Sequence, residues 1–302
     1  MTPGERIDTF GLGQCSLDYI GKVAAFPPAD TKCEFTGLTI QGGGPVATAL
    51  VALSRWGAKT ALAGVVGSDP FGGSIVESLR GEGVDTAGVV VRDGGASQFA
   101  FITAEPGIGR RTIFWSRPTG AALAPGEIDF DRLRSAGALL TDGLFTEASL
   151  AAAEEAKRAG VPVIVDAGSL RDGMLELAAL SDFFIASESF ARALVEEDDP
   201  RKACRRIAGM GPSLAGVTLG GRGYVACEGK TWIERPAHPA AAVDTTGCGD
   251  VFHAGFVHGL LAGWTTGHSL DFGAWAASRV SLELGGRAGI PDLKGYPGLD
   301  DG

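Results

Sequence analysis

Apolar residues along this chain alternate between two spacings. In "PVATALVALSRWG" (45–57), Val46, Leu50 and Leu53 fall at i, i+4 and i+7, which is one face of a helix. Pro45 suits its first position and Gly57 its end. "TALAGVVG" (60–67) is an unbroken apolar run between turn residues and predicts a buried strand. "DPFGGSIVESLRGEG" (69–83) opens on Asp69 and Pro70, a helix start. The same alternation predicts strands over 7–13, 137–143, 161–168, 182–187 and 214–221, and helices over 147–160, 188–197, 248–263 and 269–286. Repeated strand–helix units imply an α/β fold, a doubly wound and mainly parallel sheet flanked by helices on both faces. Ligands on such sheets bind beyond the carboxyl ends of the strands.

Between Val89 and Phe114 the pattern changes. "VVVRDGG", "QFAFITAE" and "RRTIFW" are short β runs separated by Gly-rich or polar turns. With "KCEFTGLTI" (32–40) they predict a small separate sheet. Its segments, approximately 31–41 and 89–117, would form a β lid inserted in a single domain covering 1–302. No linker long enough to divide the chain is present, and no repeat of 20 to 50 residues.

Composition narrows the function. At 302 residues, 45% hydrophobic, the chain can bury one large core. The 47 glycines have no short period and sit at turns between apolar segments. A formal net charge of −10 argues against a broad nucleic-acid or anionic-membrane partner, which would need a basic face. Cys15, Cys33, Cys204, Cys227 and Cys248 form no C-x-x-C pair, so a reducing, cytoplasmic setting is expected. "MTPGERIDTFGLG" lacks the apolar stretch of a signal peptide, and no run of 18 apolar residues predicts a membrane span.

Several nucleotide and metal motifs fail on inspection. "GLGQCS" (11–16) starts like a dinucleotide fingerprint but has Ser16 where the third glycine is needed. "GKT" (229–231) would need glycine at 224 to be a P-loop, and Tyr224 stands there. His238, His253, His258 and His268 make no spaced metal cluster. No G-x-S-x-G nucleophile elbow occurs.

"DTTGCGD" (244–250) is different. Gly247 and Gly249 allow a tight turn, and small Cys248 keeps it clear. Their N–H groups, at the start of a helix, suit phosphate oxygens. Asp250 follows in the first helical turn. Local chemistry allows two readings: a helix cap, or a base that takes the proton of a hydroxyl attacking phosphorus.

The stretch closely resembles the D-T-x-G-A-G-D signature of the ribokinase/PfkB family of carbohydrate kinases, and further matches span nearly the whole chain. "GLGQCSLDYI" resembles the family's first strand and its sugar-holding Asp, here Asp18. "GGGPVATALVALSRWGA" (42–58) resembles the Gly-Gly sugar segment, here Gly43 and Gly44. "VTLGGRG" (217–223) resembles the nucleotide turn, here Thr218, Gly220 and Gly223. "GGRAGIP" (285–291) resembles the loop near the nucleotide and a monovalent-cation site.

The resemblance implies a ribokinase-like fold with a small β lid, and a kinase using ATP and Mg²⁺ to phosphorylate a hydroxyl, a primary one, on a small sugar. Asp250 would be the base, with Gly247, Cys248 and Gly249 as the anion hole. Ser187 would lie with the nucleotide residues. Asp244, Thr246 and Gly289 would help hold K⁺. A homodimer through the lid is expected. Two landmarks depart from the family. Its sugar-binding Asn falls at Thr48, and its N-x-x-E motif reads Ser187, Glu188, Ser189, Phe190, so that Glu188 would act on Mg²⁺ only through water. The wording is most similar to the branch containing sulfofructose kinases. An anionic substituent would look to Lys32, Arg110, Arg111 or Arg117; Phe114 and Trp115 could wall a sugar pocket. The rival functions are a nucleoside kinase and a non-catalytic sugar or nucleotide sensor. The intact G-x-G-D stretch argues against the sensor, which has no need of a base.

Overall fold

A computed structural model describes residues 6–106 and 110–298. The chain runs β1 (Thr9–Leu12), β2 (Ser16–Lys22), β3 (Thr36–Gly43), α1 (Pro45–Arg55), β4 (Thr60–Gly67), α2 (Pro70–Gly81) and β5 (Asp85–Arg92). Then come β6 (Phe99–Glu105), β7 (Arg110–Ser116), α3 (Phe130–Arg134), β8 (Ala138–Thr141), α4 (Thr146–Ala159), β9 (Val163–Ala167) and α5 (Met174–Leu180). The C-terminal part adds β10 (Phe183–Ser187), α6 (Glu188–Val195), α7 (Pro200–Ala208), β11 (Leu214–Thr218), β12 (Tyr224–Glu228), β13 (Thr231–Arg235), α8 (Cys248–Leu261) and α9 (Thr266–Val280).

Nine strands form one sheet in the order β13-β12-β11-β10-β9-β8-β1-β4-β5. Pairing is parallel from β11 to β5, and β12 and β13 add antiparallel at one edge. Alternate side chains of each parallel strand enter opposite cores. Leu139, Val163, Val165 and Phe184 pack with α4, α5 and α6. Leu140, Ile164 and Ile185 pack with α1, α8 and α9. Each fully buried Val, Leu, Ile or Phe contributes roughly 1.5–3 kcal/mol, so these two layers dominate the stability of the large sheet. Local signals agree with the helix starts: the Asp69 side chain accepts from Gly72 N at 2.8 Å, and Pro45 opens α1. Among the described residues no helix is long and apolar enough to cross a membrane.

A second sheet has the order β3-β2-β6-β7. Its inner face buries Ile20, Ala100 and Ile102 against Leu284 of the C-terminal loop. Two boundaries differ from the sequence reading. The stretch from 89 to 92 is not in the small sheet: it ends β5, which pairs with β4 at the edge of the large sheet. The pair is a βαβ unit through α2, the ordinary parallel crossover. In its place the small sheet takes β2, whose alternation sends Leu17 and Tyr19 to one face and Asp18 and Ile20 to the other. Residues 31–35 precede β3 as irregular chain.

Candidate active site

The parallel strands end on one edge, and the chain gathers polar groups there. Gln14 follows β1, Asp142 follows β8, Asp166 lies in β9, and Ser187 and Thr218 end β10 and β11. The first turn of α8 meets the same edge. His253 of α8 contacts Ile185 O of β10 at 3.2 Å and Asp166 of β9 at 3.4 Å.

The 244–250 turn is built by a buried acid. Asp244 is 1% exposed. Its Oδ1 accepts from the N and Oγ1 of Thr246 at 2.9 and 2.8 Å, and its Oδ2 from Gly285 N at 2.9 Å. It therefore splices the turn to the 285–289 loop. Gly247 has φ +76°, and a Cβ there would stand 2.4 Å from Gly286 Cα, so both conformation and space demand glycine. The N–H groups of Gly247, Gly249 and Asp250 have no hydrogen-bond acceptor among the described residues; that of Cys248 reaches Thr245 O at 3.4 Å. These are the orphan donors of a helix start, with the positive end of the helix dipole behind them. They can bind an anion such as phosphate.

Asp250 is half-buried beside these donors, and its carboxylate has no hydrogen bond among the described residues. Burial first, and then the nearby Asp166, hold its carboxyl well above the usual carboxylate range. Arg111 opposes that rise, while Asp18 and Asp142 add to it. Asp142 is itself pushed to about 6 by burial, although Gln14 N and Leu144 N each donate to it at 2.9 Å. A raised, unpaired carboxyl is a stronger proton acceptor than an ordinary carboxylate, and it stands beside free N–H groups. Burial pushes the Cys248 thiol up to about 12, so it stays a neutral thiol beside the acids.

The small sheet brings Asp18 and Gly43 to this edge from above. Asp18 lies opposite Gln41 across β2 and β3 and is buried. Burial raises its carboxyl, eased by the Ser16 hydroxyl at 2.7 Å and by Arg287. Arg287 is 4% exposed; its guanidinium reaches Gly43 O at 3.4 Å and Ser78 Oγ at 3.3 Å, and its Nε has no partner among the described residues. From β7, Arg111 donates to Thr245 Oγ1 at 2.6 Å, which joins the small sheet to the 244–250 turn.

The nucleotide candidates form a second group. Ser187 and Thr218 sit opposite each other across β10 and β11. Thr218 Oγ1 faces Ala186 O at 3.4 Å. Gly220 and Gly223, at φ +56° and +96°, shape the turn into β12. Ser187 caps α6 by accepting from Phe190 N at 3.1 Å and donates to Gly168 O at 2.8 Å.

Glu188, expected to act on Mg²⁺ only through water, opens α6. Its carboxylate is paired with Arg192 and, at 2.9 Å, with Arg222. Two guanidinium partners leave it starting a helix and anchoring the 220–222 turn. Among the described residues no cluster of three His, Cys, Asp or Glu is arranged to hold a metal ion.

Other candidates are scattered. Thr48 is buried in α1, and Lys32 stands exposed before β3. Gly289 packs on the end of α9, where a Cβ would lie 2.7 Å from Val280 O. Arg110 is bound to Glu105 at 2.8 and 3.1 Å, and Arg117 lies over Trp115 at 4.8 Å. Phe114 is exposed on the opposite face of β7 from Trp115. Sequence reasoning missed Asp142, Asp166, His253 and Arg287. Asp166 and Asp142 end apolar strands, a position that could have marked them; Arg287 lies inside a quoted glycine motif.

A family model for the pfkB family carbohydrate kinases matches residues 8–293. A 5-dehydro-2-deoxygluconokinase of Geobacillus thermodenitrificans is 29% identical over 301 residues, covering 91% of this chain and 87% of that protein. A ribokinase of Lactococcus lactis is 26% identical, covering 93% of each. The solved ribokinase of Thermotoga maritima superposes with a TM-score of 0.81 at 21% identity, covering 98% of this chain and all of that one. The Arabidopsis thaliana ribokinase complexed with ribose and ATP gives 0.79 at 24% identity, covering 98% and 99%.

Proposed function

Because this chain belongs to the pfkB family of carbohydrate kinases, we propose that it transfers the terminal phosphoryl group of ATP to a hydroxyl, a primary one, of a small sugar or sugar derivative. The observation that carries the proposal is the pairing of unbonded N–H groups at Gly247, Gly249 and Asp250 with the unpaired, raised carboxyl of Asp250. In phosphoryl transfer the protein mainly positions the groups and stabilises charge. Here the turn receives the phosphoryl oxygens, and Asp250 takes the proton of the attacking hydroxyl. Asp18, whose carboxylate lies over Gly43, and the Gly43–Gly44 backbone hold other hydroxyls of the acceptor. Ser187, Thr218, Gly220 and Gly223 line the nucleotide. Mg²⁺, when bound with ATP, would supply charge neutralisation at the phosphates. Arg111, bridging to Thr245, closes the small sheet as a lid over the acceptor and excludes water.

The acidic floor of Asp18, Asp142, Asp166 and Asp250 disfavours an anion near the reacting hydroxyl. A sulfonate or phosphate on the sugar would have to reach the rim at Lys32 or Arg117. Potassium would sit at the Asp244, Thr246 and Gly289 loop through carbonyl oxygens, since both Asp244 oxygens already organise the loop.

The test is a coupled assay with ATP, Mg²⁺ and K⁺ against ribose, fructose, dehydro-deoxygluconates, sulfofructose and nucleosides. One sugar should turn over, and Asp250→Asn should lose at least about 10²-fold in kcat with little change in affinity. Substantial turnover by that variant would sink the role of Asp250. Binding without turnover on every acceptor would make the chain a sensor.

A further inference from the structure

The two sheets are separate, so their spacing at the site is set by joints between them. One joint is a strip of chain, residues 284–287. Gln41 of β3, opposite Asp18 of β2, turns its side-chain amide onto this strip. Its Oε1 accepts from Arg287 N at 3.1 Å, and its Nε2 donates to Leu284 O at 3.4 Å. The two segments also interlock. Gly285 has φ +91°, and a Cβ there would lie 1.4 Å from Gln41 Nε2. A Cβ on Gly42 would lie 2.3 Å from Arg287 Nη1. Each segment therefore contributes one side chain and one glycine that makes room for the other's. The buried Arg287 guanidinium then reaches Gly43 O at 3.4 Å, and Leu284 packs on Ile20, Ala100 and Ile102.

The other side of the strip holds the 244–250 turn. Gly285 N donates to Asp244 Oδ2 at 2.9 Å, while Asp244 Oδ1 accepts from Thr246 N at 2.9 Å. A Cβ on Gly247 would stand 2.4 Å from Gly286 Cα, so the two backbones touch.

We infer that Gln41 is a positioning residue: with Arg287 it ties the β2–β3 edge to the 244–250 turn through the 284–287 strip, and so fixes the distance between the acceptor hydroxyl and the phosphoryl group. The use of the tie rests on the proposed function, in which Asp18 holds the acceptor and the turn receives the phosphoryl oxygens; the tie itself does not. Transfer needs its reacting atoms held close and aligned, and a misplacement of about 1 Å can cost about 10²-fold. Neither segment shows the tie by itself, because it is made by a lone glutamine and an arginine far apart along the chain.

The experiment is amide hydrogen exchange, read by NMR on the full chain without ligand, followed by steady-state kinetics. In wild type the Thr246, Gly285 and Arg287 amides should open as one unit, with opening constants within about 3-fold of one another. Gln41→Met keeps an unbranched side chain and removes both hydrogen bonds. Arg287 N–H then loses its acceptor directly, whereas Gly285 and Thr246 keep Asp244. If the tie holds them, they too should exchange at least about 10-fold faster, while amides of β1 and β4 keep their rates. In turnover kcat should fall about 10-fold, with KM for sugar and for ATP each held within about 2-fold, because each half stays whole and only their spacing is lost. Independent opening in wild type overturns the inference. So does faster exchange confined to Arg287 or spread evenly through β1 and β4, and so does an unmoved kcat. If Gln41→Met does not fold, the wild-type opening constants and Gly42→Ala, which displaces Arg287 from the other side of the joint, decide. Turnover retained by Asp250→Asn would instead sink the base, leaving the exchange pattern as predicted here.

Discussion

A Cβ placed on Gly43 would stand 2.0 Å from Oδ2 of Asp18. The missing side chain at the end of β3 is thus the space that the Asp18 carboxylate occupies, and the two cannot be varied independently. Gly43→Ala should push Asp18 away from Ser16 and out of the acceptor site. We expect KM for the sugar to rise by about 10-fold or more while KM for ATP holds, since the nucleotide residues lie on β10 and β11. Gly73→Ala is the control: nothing lies within 4 Å of its Cβ, and in a helix interior the change should stabilise by about 0.5–1 kcal/mol. Steady-state kinetics with each substrate varied separately checks both; an unchanged sugar KM in Gly43→Ala would detach Asp18 from the acceptor.

Arg111 donates to Thr245 and is the cation that favours ionised Asp250. Arg111→Met removes both effects. With that charge gone, burial and three neighbouring acids act unopposed from this side, so the Asp250 midpoint rises. A base with a raised midpoint is scarcer at any pH below it, so the acid limb of kcat/KM should move to higher pH by about one unit. Arg111→Lys keeps the charge on a different geometry and should restore the limb's position without restoring full activity. A pH–rate profile that Arg111→Met leaves in place would show that the guanidinium acts only as a tether.

How much of this could be read from the sequence depended on how local each signal was. The βα units announced themselves because β4 is a continuous apolar run and α1 and α2 carry Pro or Asp at their starts. The 244–250 turn was legible because glycines and acids at fixed spacing reflect backbone demands, whereas Gly43 was singled out only through the family resemblance. β2 was missed because "SLDYIGK" reads as the tail of a glycine turn; only pairing with β3 and β6 makes it a strand. The β12–β13 hairpin was overlooked although Gly229 and Lys230 form its two-residue connection. "VVVR" went to the small sheet because three valines suit either sheet, and register with β4 decides it. Arg287 and Asp166 act through contacts across the fold, which composition and spacing do not encode.

Asp142 gives a prediction about stability. Burial raises its carboxyl from an ordinary 3.8 to about 6. A folded-state value above the unfolded one means that folding favours the protonated form. The stabilising contribution is therefore complete below the unfolded value and is lost as pH climbs to the folded one. A rise of this size corresponds to up to roughly 3 kcal/mol. Urea unfolding at stepped pH should show wild type losing stability relative to Asp142→Asn between about pH 4 and 6, then a constant difference. A difference already flat across that window would mean that Asp142 ionises as freely in the fold as outside it.

The outer face of the small sheet predicts how copies of the chain associate. Register places Ile40, Tyr19, Phe101 and Phe114 in one row across β3, β2, β6 and β7. Ile40 and Phe114 are each 52% exposed and Leu38 57%, while Phe26 stacks on Phe114 at 6.2 Å. Ile40, Phe114 and Leu38, left largely in water, favour burial against a like surface, and a second copy offers one by symmetry. Light scattering should therefore find a homodimer. Ile40→Lys with Phe114→Lys should give a monomer that keeps its fold by circular dichroism, because neither side chain is in the core. If β2 and β3 carry Asp18 and Gly43 as argued, the monomer should also show a raised sugar KM, since loosening the small sheet loosens both residues. A wild-type chain that stays monomeric at high concentration would leave that face needing another explanation.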